Sequence, residues 1–222
     1  MEKIKALIYK EYIKTRLTLV VSLVTTLGIV GAYALILQTE IRTNGAVSEV
    51  TNHLIGDART NIFYQYMPAI VGLGMALTQF VPEASYGRLK LTLHLPMNET
   101  ATVLTMSAFG WVTLLGIGLA GTAEYWMWNS KLMPPTIVMA DYLASVPWAL
   151  GSFATYNYGV ALSLDTTRRG RLSWGAGMVL TTLAVAWLPS GAPESLPLAA
   201  LLTLPTATIP LHCAQRYRNG VR

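Results

Sequence analysis

The sequence predicts an all-α membrane protein of about six transmembrane helices, and three observations carry that prediction. Apolar residues make up 53% of the 222 positions and charged residues only 12%, about half the charged share of a soluble domain. The charges are segregated, so that long uncharged runs alternate with short polar ones, as expected where lipid is the solvent. The first uncharged run, residues 17–37, has 21 residues. At 1.5 Å per residue it crosses a hydrocarbon core of ~30 Å.

Residues 1–16 place Ile4, Ile8 and Tyr12 at helical spacing, with Leu7 beside them and lysines on the remaining faces. This is the pattern of a helix lying in the membrane interface; the other reading is a cytoplasmic extension of the first span. The first run is followed by no small-residue cleavage site, so a retained span is expected rather than a signal peptide. The later spans are expected at residues 62–82, 101–128, 136–164, 172–188 and 196–213, and the tail at 214–222. No internal repeat or low-complexity linker divides the chain, so residues 1–222 form one domain with a six-span bundle over 17–213.

Six spans put both termini on one side, and basic residues choose which. With the N-terminus in the cytoplasm, thirteen of the 16 Lys and Arg lie inside, and only Arg42, Arg59 and Lys131 lie outside. Tyr64, Tyr66, Trp126, Trp128, Tyr142 and Trp187 then fall near outer span ends, and Trp174 and Tyr217 near inner ends. Amphipathic rings collect at headgroup level for this reason. The expected location is a cell membrane, inner or plasma. The net charge of +5 is read as contact with anionic headgroups, not nucleic acid, because the basic residues flank apolar runs instead of forming one patch.

The chain has one cysteine, Cys213, hence no internal disulfide, and no metal-ligand spacing surrounds it. There is no GxxxxGK[ST], GxGxxG, HExxH or GxSxG pattern. No catalytic residue, bound metal or cofactor is expected on this chain. Any ATP hydrolysis would belong to a partner.

The segment between the second and third spans runs Glu83, Ala84, Ser85, Tyr86, Gly87, Arg88, Leu89, Lys90, Leu91, Thr92, Leu93, His94, Leu95, Pro96. Glu83 lies four before Gly87, Leu89 two after it and Pro96 nine after it. With the basic, Glu-containing N-terminal helix and the in–in layout, this segment resembles the permease subunits of exporter-type ABC transporters, the type-two permeases. The chain departs from their pattern in having Thr92-Leu93 for a leucine pair, and in lacking basic residues before Gly87. Alternation of Leu89, Leu91, Leu93 and Leu95 with polar residues is by itself a strand signal. The resemblance implies instead a cytoplasmic coupling helix that carries Glu83, Gly87, Leu89, Leu93 and Pro96 and docks on a separate ABC ATPase. It further implies two ATPase copies holding ATP and Mg, and a second permease chain, the same or different. A helix-in-groove contact through Leu89 and Leu93 suits such docking, and Glu83 at a helix start suits the dipole.

Within the spans, Ser152, Thr155, Tyr156 and Asn157 either line a translocation path or bond across helices, the second being the commoner use. Glu124 and Asp141 sit near outer span ends, where a carboxylate is read as hydrated at the interface or as part of the path. Gly110, Gly116, Gly118 and Gly121 permit close helix approach. Pro68, Pro147, Pro205 and Pro210 are expected to kink or break their spans. The functional expectation is an ATP-driven exporter subunit for a hydrophobic or amphipathic substrate. The competing one is a non-transporting membrane assembly or immunity factor that binds a partner.

Overall fold

The computed structural model describes residues 2–45, 48, 61–85, 98–188 and 194–219. Among the described residues the fold is entirely helical, with no strand: α1 Glu2–Asn44, α2 Asn61–Ser85, α3 Glu99–Asn129, α4 Pro135–Leu164, α5 Arg168–Ala186, α6 Ser195–Thr203, a 3₁₀ turn Leu204–Thr208, and α7 Ile209–Asn219. Among the described residues, four stretches are long and apolar enough to cross a membrane: Glu2–Asn44, Thr100–Asn129, Pro135–Leu164 and Ser195–Tyr217. α2, which carries Gln79 and Glu83, and α5, which opens on three arginines, are not among them.

Local chemistry accounts for the helix ends. α1 stops at Gly45, whose φ of 85° is left-handed and whose N–H reaches the Ile41 carbonyl at 3.1 Å, the C-terminal device that glycine permits. α3 starts at Asn98, whose side chain accepts from the Thr100 N–H at 3.0 Å. α4 has Pro135 at its first position, where no N–H is needed. Thr167 caps α5 by accepting from the Gly170 N–H at 3.1 Å. The prolines divide into two groups. Pro68, Pro82 and Pro147 sit inside continuous helices, whereas Pro205 coincides with the 3₁₀ turn that separates α6 from α7.

The N-terminal segment differs from the expectation of a separate interfacial helix. Residues 2–44 form one helix with no break near residue 17, about 65 Å long at 1.5 Å per residue. Its buried face in this region is Leu7, Glu11 and Thr15, while Ile4, Ile8 and Tyr12 are exposed. The apolar stripe therefore faces outward. The physical reason is that Glu11, turned inward, pairs with Lys14 of its own helix, which also reaches Glu83 on α2, and meets the Gln79 amide of α2.

α2 and α4 form the most extensive helix pair, followed by α1 with α3. Glycine makes the first pair close: a Cβ at Gly72 would overlap the Ser152 carbonyl oxygen, and one at Gly159 would press on Ala76. Gly110 on α3 likewise leaves room for the Tyr156 ring. Two apolar clusters result. The larger gathers Met75, Phe80, Met106, Tyr156 and Val160 from α2, α3 and α4. The smaller gathers Val30, Tyr33, Tyr125 and Val138, with the Tyr33 and Tyr125 rings stacked at 5.9 Å. Outside, Leu17, Ile70, Val112, Leu172, Leu201 and Trp187 are exposed. An apolar exterior on this scale suits a hydrocarbon surrounding.

Candidate functional site

The most concentrated chemistry lies where α1, α2, α3 and α4 meet, at the end of the bundle that carries Glu83. On α1, Lys10, Glu11 and Lys14 fall on adjoining faces because a helix advances 3.6 residues per turn. Lys14 Nζ binds Glu11 Oε1 at 2.9 Å and Oε2 at 2.8 Å, and also Glu83 Oε1 at 3.0 Å on α2. Lys10 Nζ joins the same Glu83 oxygen at 2.9 Å. One helical turn before Glu83, Gln79 donates to the Met106 carbonyl of α3 at 2.8 Å and accepts from the Tyr156 hydroxyl of α4 at 2.6 Å. Glu11, Gln79 and Tyr156 are fully buried, and Glu83 is 1% exposed. Two lysines balance two carboxylates, so the cluster is formally neutral.

Burial and charge act on the two acids in different proportion, both lying outside the apolar stretches of α1 and α2. Burial pushes the Glu11 carboxyl above its ordinary value, and Lys14, Gln79 and Lys10 only partly offset this. Burial also pushes Glu83 up, but Lys10 and Lys14 more than compensate, and its carboxyl is held below the usual range. Glu83 occupies the last turn of α2, the negative end of the helix, where an acid is unfavourable. The two lysines supply the compensation that the dipole does not. Tyr217 of α7 adds a further tie by donating to the Ala84 carbonyl at 3.2 Å, one of the carbonyls a helix end leaves unpaired.

Glu83 therefore does not open a new helix, as expected of it, but closes α2 inside an ion-pair cluster. The other four coupling positions, Gly87, Leu89, Leu93 and Pro96, lie outside the described residues. The hydroxyl and amide run on α4 bonds across helices. Thr155 donates to the Ala69 carbonyl at 3.1 Å, Tyr156 to Gln79, and Asn157 accepts from the Trp111 indole at 3.0 Å and donates to Thr206 at 3.0 Å. Ser152 bonds within its own helix, to the Ala149 carbonyl at 2.6 Å. At the far end, Asp141 accepts from the Tyr125 hydroxyl at 2.7 Å, and Glu124 packs against Gly31, where an added Cβ would stand 3.6 Å from its Oε1. Neither acid joins the Glu83 cluster.

A second polar centre follows α4. Asp165 Oδ1 accepts from the Thr167 N–H and hydroxyl, each at 2.8 Å, and Oδ2 accepts from the Trp174 indole at 3.1 Å. Arg216 of α7 stands 3.8 Å away, and Arg171 binds the Asp165 carbonyl at 2.8 Å. Burial raises the Asp165 carboxyl, but these donors and Arg216 outweigh it and hold it low. Asp165 was not singled out from the sequence, although Asp-x-Thr ahead of a helix is a turn-and-cap signal. Gln79 was missed as well; an amide inside an otherwise apolar run was its signal.

No protein-family model, curated protein or solved structure matches the chain.

Proposed function

We propose that the chain is the membrane subunit of an ATP-driven ABC exporter, with six crossings and both termini in the cytoplasm. In this reading residues 86–97 dock on a separate cytoplasmic ATPase, which binds ATP and Mg, and the chain works beside a second permease chain. One observation carries the mechanism: the Lys10–Lys14–Glu11–Glu83 cluster and its continuation through Gln79 to Tyr156 sit at the point from which residues 86–97 depart. A push on that segment by closing ATPases would reach α2 through Glu83. The ion pairs would pass it to α1, and the Gln79 bonds would pass it to α3 and α4. Buried ion pairs and hydrogen bonds resist sliding, so these helices would move together as one lever.

The orientation has a direct test on a Cys213→Ala background. Asn44 and Ser85 are both exposed and lie at opposite ends of the layout. A cysteine at Asn44 reacts with an impermeant thiol reagent in intact cells, and one at Ser85 reacts only after lysis. Labelling of Ser85→Cys alone in intact cells overturns the orientation. The functional reading is tested by isolating the chain from its native membrane. A P-loop ATPase and two permease-type chains are expected in the complex. A single chain with no ATPase contradicts exporter function and leaves the non-transporting assembly role.

A further inference from the structure

Away from the ion-pair cluster, the facing sides of α1, α2, α3 and α4 enclose a cavity of about 250 Å³. Its wall is mainly aliphatic and aromatic, with Ile29, Val30, Val71, Leu114, Ile117 and Phe153 prominent. We propose that this cavity is a binding site for the acyl chain of a bilayer phospholipid.

Three properties of the cavity select that guest. Water is excluded first, because apolar cavities of this order stay dry and accept apolar guests. A polar solute is excluded next. The Thr122, Ser145 and Ser152 hydroxyls in the wall already donate to carbonyls of their own helices, those of Leu119, Tyr142 and Ala149. Thr26 contributes a buried hydroxyl without a partner, and one such group does not offset the apolar wall. The third property is access. Leu115 and Leu119 line the cavity, yet are 52% and 57% exposed on the outer surface of α3. α3 is one of the helices apolar enough to span the membrane, and these residues lie near the middle of it. The mouth therefore opens at the depth where acyl chains are the available molecules. The volume is below that of sites for whole drug-sized molecules, ~300–1,000 Å³, and suits a length of hydrocarbon. An unfilled cavity would leave its wall without dispersion partners.

The inference needs membrane embedding but no ATPase, so it stands or falls apart from the exporter reading. Gly118 makes the test clean: it lines the cavity, and a Cβ added there meets nothing within 4 Å. Gly118→Phe would thus fill the space from within. The full chain is reconstituted in phosphatidylcholine vesicles containing a phosphatidylcholine with a diazirine in its acyl chain, illuminated, and mapped by peptide mass spectrometry. In the wild type, labelling at the wall residues of α1–α4 exceeds that at Val112 and Leu201, which face outward on helices apolar enough to span the membrane. Gly118→Phe loses the wall labelling and keeps that at Val112 and Leu201. Wild-type labelling no stronger at the wall than at Val112 and Leu201 overturns the proposal, since it shows only general lipid contact. So does disulfide formation between copies carrying Leu119→Cys in the Cys213→Ala background, which would mean that a second chain covers the mouth.

Discussion

Replacing Glu83 by leucine lowers the stability of the bundle by about 3 kcal/mol, within the range for removing one partner of a buried ion pair. The loss comes from what remains. Lys14 is only 15% exposed and keeps Glu11, whereas Lys10, at 40% exposure, can turn to water. The double variant Glu83→Leu with Lys14→Met falls short of the sum of the single effects, because the two groups share one contact. Glu83→Lys is worse than either, placing a third cation beside Lys10 and Lys14. Thermal unfolding of the purified protein in detergent reads all four. A Glu83→Leu protein as stable as the wild type would mean that the pairs contribute nothing.

The same cluster predicts a pH dependence with a definite sign. Glu83 titrates below its ordinary value of 4.5 in the fold, so its contribution is complete above that value and is lost as pH falls through the lower folded value. Glu11 runs the other way. Its carboxyl is raised above 4.5, so its ionised form opposes folding and protonation relieves it first. On acidification the wild type is therefore expected to lose the α1–α2 tie only below the ordinary carboxylate range. Glu83→Leu should lack that low-pH step, as melting temperatures measured against pH would reveal.

The starts of α3, α4 and α5 were legible because uncharged runs begin close to Asn98, Pro135 and Thr167. The end of α1 at Gly45 was not, since the first uncharged run stops at residue 37. The break at Pro205 was legible from the proline itself. The facing of α1 was not. In a soluble protein the stripe Ile4, Ile8, Tyr12 would mark the core side, but in a membrane the exterior is as apolar as the interior, so periodicity cannot tell one from the other. Hence Leu7, Glu11 and Thr15 turned inward against the pattern. Nor could the cluster be assembled in advance. Lys14 meets Glu83 across 69 positions and Tyr156 meets Gln79 across 77, and no local signal spans such distances. The α2–α4 pairing did leave a trace: Gly72 and Ala76 form a small-xxx-small pair, the spacing that lets membrane helices approach.

The largest functional effect is expected beyond Ser85. If residues 86–97 fill a groove on an ATPase, the Leu89 and Leu93 side chains lose water only in the complex. Truncating both to alanine removes several methylenes of burial at ~0.8 kcal/mol each, roughly 2–4 kcal/mol together. That weakens association by about one to three powers of ten. Membrane insertion should survive the change, because positions 89 and 93 fall between the expected spans 62–82 and 101–128 and neither span is altered. The measurement that decides the coupling reading is ATPase co-purification from native membranes with the wild type and with the Leu89→Ala/Leu93→Ala variant, at equal amounts of inserted chain. The coupling reading predicts an ATPase that accompanies the wild type and is lost from the variant. An ATPase retained in full by the variant, or absent from both, would contradict it.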